Sequence, residues 1–234
     1  MPVYQLPDSL IFPDPEEAEP DGLLAVGGDL SVKRLLLAYR MGIFPWYSEG
    51  SPILWWSPDP RLVLAPSGLK VPKSLKRVLK KEVYSITMDQ AFDRVIRRCA
   101  SAKRRENEGT WIVDDMIAAY SDLHRSGFAH SVEAWQSGEL VGGLYGVSLG
   151  NVFFGESMFA DKSDASKVAL VYLAGALKSW GVDLIDCQVT TGHLKGLGAR
   201  EIPRTDFLKR ISVALEQESR SGRWTLPEDL ELPI

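Results

Sequence analysis

The sequence predicts an α+β fold, with a mixed sheet and flanking helices behind a small N-terminal domain, on three observations. The runs HSVEAWQ, ELVGGLYGVS and VFFGESMF follow one another, separated by Ser137-Gly138 and Gly150-Asn151. Short runs rich in β-branched and aromatic residues, parted by tight-turn pairs, read as an antiparallel meander. A segment from about Ser163 to Trp180 contains VALVYLAGAL, apolar all round, as a buried helix is. The strand-like VDLIDCQV (182–189) comes directly after it.

The elements are justified in order along the chain. The first sixty residues are rich in proline and acids and hold one clear helix. Ser31 is a good N-cap, VKRLLLAYRM carries apolar residues at helical spacing, and Gly42 can end it. Gly42 to Arg61, GIFPWYSEGSPILWWSPDPR, has too much Pro and Gly for regular structure. Its Trp46, Tyr47, Trp55 and Trp56 nonetheless imply an ordered segment that packs on something or lines something. The expected domains are 1–61 and 62–234. Helices are expected over 72–81 and 88–99, the second turning Ala91, Phe92, Val95 and Ile96 inward, with a charged loop at 101–108. Asp114 to Ser126 reads as an amphipathic helix closed by Gly127. HLKGLGA makes a short helix, and Asp206 to Ser219 the last one.

Composition narrows the class. With 234 residues, 45% hydrophobic and 25% charged, the chain has the make-up of an ordinary soluble globular protein. No run of 18 apolar residues exists to span a membrane. The N-terminus lacks the basic start and apolar stretch of a secretory signal. Cys99 and Cys187 make no disulfide framework, and no Cys/His spacing suggests zinc. A cytoplasmic protein without a structural metal is expected.

Charge is unevenly placed. The net charge is −4, yet the stretch from Lys70 to Arg105 holds twelve Lys and Arg opposed only by Glu82, Asp89 and Asp93. Residues 1 to 31 hold seven acids and no Lys or Arg. Such asymmetry fits a local phosphate-binding face, and equally a pair of solvated helices with basic outer faces.

Four sites carry candidate chemistry. In LIDCQV, strand alternation places Asp186 and Gln188 on one face, roughly 7 Å apart, with Ile185, Cys187 and Val189 packed behind. A strand that follows a buried helix is usually apolar on both sides, so a carboxylate and an amide there need partners. They are either a satisfied structural pair, a strand end in solvent, or a polar pair at a reaction centre. Glu156 in GESMF sits among Phe154 and Met158, which suits a cationic ligand or a paired Arg. Trp46 and Trp111 lie in loop-like contexts where an indole face is available, either for packing or for a base, whose stacking is worth about 1–3 kcal/mol. Finally, the junction before the buried helix reads MFADKSDASK. It has no glycine, and Asp161 and Asp164 would repel phosphate at that helix start, which argues against coenzyme A.

The element order, ending in a short helix with Leu-Gly-Ala, resembles the GNAT-type acyltransferase fold, and acyl transfer to an amine follows only by analogy. More specific are GLLAVGGDLS, GIFPWYS, PILWWSPDPR, EGTWI, HSVEAW, GELVGGLYGV, FFGESMF, LIDCQV and LGAREIPR. Their order resembles that of bacterial leucyl/phenylalanyl-tRNA–protein transferases over residues 4 to 215, nearly the whole chain. The resemblance implies transfer of Leu or Phe, and Met less well, from aminoacyl-tRNA to proteins that begin with Arg or Lys, marking them for degradation. It implies a catalytic pair of Asp186 and Gln188, with Trp46 and Trp111 holding the 3′-terminal adenosine and Glu156 nearby. Leu144, Phe153, Met158, Leu170 and Ile185 would form the apolar pocket for the amino-acid side chain. Lys70, Lys73, Lys76, Arg77, Lys80, Lys81, Arg94, Arg97 and Arg98 would grip the acceptor arm through its phosphates. After LIDCQV the chain reads TTGHLKG, where the family has a more polar turn, so no role is carried to Thr190, Thr191 or Gly192.

The donor is already an activated ester, so no cofactor is expected, and a monomer suffices. The expected chemistry is direct attack without an acyl-enzyme. Asp186 orients and polarises Gln188, whose carbonyl oxygen accepts a hydrogen bond from the attacking amine; water or tRNA takes the proton. Glu156 and Asp186 are candidates to recognise the acceptor's cationic terminus. The rivals are a coenzyme A-dependent N-acyltransferase, a transferase that passes amino acids from tRNA into cell-wall peptides, and a non-catalytic tRNA-binding module.

Overall fold

The computed structural model describes residues 3–102 and 112–234. Trp111 and the predicted charged loop from residue 103 onward lie outside the described residues.

The N-terminal part carries a four-stranded sheet in the order β1–β2–β4–β3. Its strands are β1 (Tyr4–Leu6), β2 (Leu23–Gly27), β3 (Phe44–Pro45) and β4 (Leu54–Trp56). Helix α1 (Val32–Arg40) lies between β2 and β3, and the Ser31 hydroxyl accepts from Arg34 N at 3.3 Å as its N-cap. The segment from Gly42 to Arg61 is therefore not wholly irregular: β3 and β4 pair within it. Proline is tolerated because β3 is an edge strand, where Pro45 needs no partner for a missing N–H. The tryptophans close the segment. Trp55 is fully buried and donates Nε1 to Gly27 O at 2.8 Å, and Trp56 donates Nε1 to Trp46 O at 2.7 Å.

The second sheet has seven strands in the order β11–β5–β10–β9–β8–β7–β6. They are β5 (Arg61–Leu64), β6 (Ser85–Met88), β7 (Ala129–Gln136), β8 (Glu139–Leu149), β9 (Val152–Ala160), β10 (Leu184–Gln188) and β11 (Arg200–Ile202). The helices that follow α1 are α2 (Lys73–Lys80), α3 (Phe92–Ser101), α4 (Asp114–Arg125), α5 (Ala165–Ser179), α6 (Gly192–Gly196) and α7 (Arg204–Ala214). The predicted meander is β7–β8–β9, antiparallel throughout. Among the described residues of this sheet only β9 and β10 pair in parallel, and they can do so because α5 makes the long crossover that parallel neighbours require.

Several boundaries differ from the sequence expectation. β5, β6 and β11 were not foreseen; three or four residues are too few for alternation to register. The helix expected from residue 88 starts at Phe92, because Met88 ends a strand and Asp89 takes a left-handed φ of 53°. The last helix runs over 204–214 rather than 206–219.

The sheet divides two apolar layers. On one face α5 covers Leu144, Phe153 and Ile185. At its start α5 approaches β8 so closely that a Cβ on Gly142 would lie 2.5 Å from Ala165 Cβ. On the other face α3 and α4 cover Tyr145, Val147 and Phe154, and this layer runs on into Leu24, Tyr39 and Trp55 of the N-terminal part. The C-terminal residues, which carry no motif, are tied back: the Trp224 ring stacks on His130 at 3.7 Å and the Trp224 backbone N–H donates to Asp89 Oδ2 at 2.7 Å.

Candidate active site

The site forms where two strands part. β9 and β10 are in register for three pairs, the last being Asp186 with Phe154. Beyond that point, Gly155 to Met158 on one strand and Cys187 to Val189 on the other line a single cavity of about 300 Å³. Phe44, Pro45 and Trp46 close it from the N-terminal part. The structure brings Leu144, Phe153, Met158, Leu170 and Ile185 together in its wall. Leu64, Leu173 and Leu194 line it as well and were missed. Leu64 belongs to an unforeseen strand, and Leu173 to a helix so evenly apolar that its sequence gives no facing. Trp46 stands at the cavity with its residue 39% exposed.

β10 changes character at its end. Its pairing with β5 shifts register between Asp186 and Gln188, and Gln188 has a φ of 60°. Such a left-handed position costs a non-glycine residue of the order of 1–3 kcal/mol, so surrounding contacts must hold it. Simple alternation stops here. Cys187 and Val189, expected behind the strand, line the cavity. Asp186 is fully buried, does not line it, and has its acceptors taken.

Those acceptors face a partner the sequence did not reveal. Arg61 Nε donates to Asp186 Oδ1 at 2.9 Å and Arg61 Nη2 to Oδ2 at 2.7 Å, a two-point fork between groups wholly out of water. Burial of two ions is offset only by such geometry with further hydrogen bonds. Here Arg61 Nη1 reaches Gly42 O at 3.1 Å, and the guanidinium lies 4.9 Å from the Phe44 ring centre and 4.4 Å from that of Phe207. Asp186 Oδ1 also accepts from Gln188 N at 2.9 Å. Asp186 therefore acts on the backbone of Gln188 rather than on its amide, and it has no free oxygen for a cationic terminus. The first correction follows from the Gln188 N contact, the second from that contact and the ion pair together.

The Gln188 amide belongs instead to Glu156. Gln188 Nε2 donates to Glu156 Oε1 at 2.8 Å, Tyr39 donates to the same oxygen at 2.7 Å, and Tyr120 donates to Oε2 at 3.1 Å. The two phenol oxygens also lie within hydrogen-bonding reach of each other, so their two protons are shared over three contacts. Glu156 was expected to pair with an arginine or a cationic ligand; its partners among the described residues are two phenols and an amide. Burial pushes its carboxyl up to about 7, although the Tyr39, Tyr120 and Gln188 hydrogen bonds pull it back, and nearby Asp186 pushes the same way as burial. Burial and the Glu156 charge hold both phenols well above their ordinary range, so they remain donors at neutral pH. With Nε2 committed to a carboxylate, Gln188 is left with Oε1 as its free end.

Cys187 lines the cavity, but burial, with Asp186 adding to it, pushes its thiol far up, so thiolate is scarce at neutral pH. The basic residues are elsewhere. On α2, Leu75 and Leu79 are buried, and Lys73, Arg77 and Lys80 point outward with Lys70 and Lys81 beside them; Lys76 is half-buried. On α3, Arg97 is exposed, Arg94 lies over the Trp135 ring at 5.1 Å, and Arg98 pairs with Asp161. Arg98 is thus partly neutralised by one of the acids that guard the α5 start.

Tyr39, Arg61 and Tyr120 are the functional candidates that sequence reasoning missed. PILWWSPDPR contains Arg61, but at a predicted domain edge, and its partner is 125 residues away.

An apolar cavity lined by the Gln188 amide, beside a buried carboxyl, makes a site for an apolar side chain set against a polar pair. The model of the leucyl/phenylalanyl-tRNA protein transferase family matches residues 63–212, and that of its N-terminal domain matches 28–59. The chain belongs to this family and is an aminoacyltransferase. A leucyl/phenylalanyl-tRNA–protein transferase of Syntrophobacter fumaroxidans is 62% identical over 96% of each chain. Those of Anaeromyxobacter sp. strain K and Nitratidesulfovibrio vulgaris are 61% identical over 97% of each chain and 57% over 98%. The solved structure of L-PGS from Bacillus licheniformis aligns over 72% of this chain and 54% of that one, at 11% identity and a TM-score of 0.38, too slight to bear on the fold. No helix among the described residues is long and apolar enough to cross a membrane.

Proposed function

We propose that this protein transfers Leu or Phe, and Met less well, from aminoacyl-tRNA to the N-terminal amine of proteins that begin with Arg or Lys, so marking them for degradation. The observation that carries the reading is the open amide oxygen of Gln188 at an apolar cavity large enough for a leucyl or phenylalanyl side chain. It acts in the cytoplasm as a monomer and without a cofactor, the N-terminal domain (1–61) supplying Trp46 for the 3′-terminal adenosine. Trp111 is assigned there too, on the resemblance alone. The GNAT-like reading of the 62–234 domain rests on the parting of β9 and β10 after a crossover helix. The exposed basic side chains of α2 and α3 take the acceptor-arm phosphates.

The amine nitrogen attacks the ester carbonyl, the new C–N bond forms, and the C–O bond to the terminal ribose breaks. The amine loses one proton and the leaving ribose oxygen gains one. An α-amine has a pKa of about 8, so a useful fraction is neutral at pH 7. An amide is a poor base. Gln188 Oε1 therefore accepts a hydrogen bond from the amine and aligns it, the entropic part of the barrier, and the proton leaves through water or tRNA. Asp186 contributes by fixing the backbone turn that carries Gln188, and Glu156 by holding the Gln188 amide through Nε2.

Labelled leucine on Leu-tRNA, offered to peptides beginning with Arg or Ala without ATP or ribosomes, tests the reading. Transfer to the Arg peptide alone is expected; transfer to neither overturns it.

A further inference from the structure

Glu156 is the least expected group in the site, a carboxylate with no cation beside it among the described residues. What surrounds it is built from distant parts of the chain. Tyr39 comes from α1, Tyr120 from α4 and Gln188 from β10, and all three converge on its two oxygens at 2.7, 3.1 and 2.8 Å. Both phenol rings are wholly buried. Two buried hydroxyls on one carboxylate, in reach of each other as well, exceed what packing alone needs; phenylalanine fills the same volume. Resting on the proposed transfer reaction, we infer that Tyr39 and Tyr120 are positioning residues, holding Glu156 as the carboxylate that fixes which end of the Gln188 amide faces the incoming amine.

The physical consequence is a switch in amide orientation. An ionised Glu156 can only accept, so Gln188 must present Nε2 to it and leave Oε1 for the amine. A protonated Glu156 can donate, which lets the amide turn over and present Nε2 to the amine instead, a donor that ties up the lone pair with which the amine attacks. Each tyrosine hydrogen bond favours the ionised carboxylate against the burial that opposes it. The other titratable groups facing this cluster among the described residues belong to β10, β5 and β8. Asp186 is paired with Arg61 of β5, the Cys187 thiol is held protonated, and the Tyr145 ring meets that of Tyr120 edge-on at 5.8 Å. None of them is a cation free to take over the task.

The test is the pH profile of single-turnover leucine transfer to an Arg peptide, for the full chain and for Tyr39→Phe and Tyr120→Phe separately. The acidic limb of each variant should move upward by about one pH unit, the size of one charge-assisted hydrogen bond. Transfer should then drop about fivefold at pH 7 and return to within about twofold of the parent at pH 8.5. Leu-tRNA affinity and the urea midpoint at pH 8.5 identify a variant that has merely lost its structure. Failure of one variant to fold leaves the other to decide. A loss by the same factor at every pH, or a profile unchanged in both variants, overturns the inference. Absence of transfer by the parent overturns the proposed function instead.

Discussion

Replacing Asp186 with Asn would leave the Arg61 guanidinium charged, fully buried and without its counter-ion. The fork it loses has contacts of 2.9 and 2.7 Å, and both side chains are out of reach of water. Breaking such a pair from one side costs about 3–5 kcal/mol, most of it the penalty for the stranded charge. In a chain of this length each kcal/mol corresponds to roughly 2–4 °C in melting temperature, so a fall of about 10 °C is expected. Arg61→Met should cost a similar amount, because Asp186 would then be stranded. The combined Arg61→Met/Asp186→Leu should recover most of the stability, since Met still fits between the Phe44 and Phe207 rings and no ion remains. Its transfer activity should stay low, because Gln188 N has lost the oxygen that held its turn. Urea unfolding followed by tryptophan fluorescence, run as a double-mutant cycle, measures the coupling. Asp186→Asn melting within about 2 °C of the parent, or losses that simply add in the double variant, would refute the reasoning.

Glu156 makes stability depend on pH in a definite direction. Its folded pKa of about 7 lies above the ordinary 4.5, so the stability it contributes is fully present below pH 4.5 and is lost as pH rises through 7, about 3 kcal/mol in all. Glu156→Gln should flatten the change in urea midpoint between pH 5 and 8, and an unchanged slope counts against the buried carboxyl. For the basic face, Lys80→Glu together with Lys81→Glu should make log Kd for Leu-tRNA about two units less steep in log salt; an unaltered slope removes these two from phosphate contact. Gly142→Val should cost about 1–3 kcal/mol by overpacking, because its Cβ would meet Ala165 Cβ at 2.5 Å and Ala165 C at 3.0 Å. A variant that melts like the parent would mean that β8 and α5 do not approach so closely.

What could be read from the sequence was whatever is local and periodic. The meander showed because β7, β8 and β9 run to eight, eleven and nine residues with tight-turn pairs between them. Helix α5 showed because a surface helix cannot afford so apolar a sequence. Asp186, Gln188 and Glu156 stood out as polar residues in apolar strands, and the cavity brings Glu156 and Gln188 together. What stayed hidden was non-local. Nothing around Tyr39 indicates that it will meet Tyr120 and Glu156, 81 and 117 residues on. Arg61 follows a Pro-Asp-Pro run and reads as a solvated linker residue until β5 places it beside β10. The alternation rule also failed at the one turn where it mattered, because a left-handed φ at Gln188 cannot be foreseen from residue type.

These hidden contacts share a logic. The end of β10 gathers three features that each oppose folding: a left-handed glutamine, a carboxyl with no cation beside it among the described residues, and an ion pair removed from water. None is supported by its own strand alone. Asp186 holds the glutamine turn, Arg61 holds Asp186, and Arg61 is in turn fixed by Gly42 O and Phe44 of the N-terminal part. Glu156 likewise depends on Tyr39 of α1. The N-terminal part is therefore more than a wall for the cavity, because two of the three unfavourable features are offset by its residues. Strain and desolvation gathered at a site persist only where the surroundings over-determine them. Here the surroundings are drawn from both sheets, so the geometry of Gln188 is set by how the N-terminal part seats against β5 and α4.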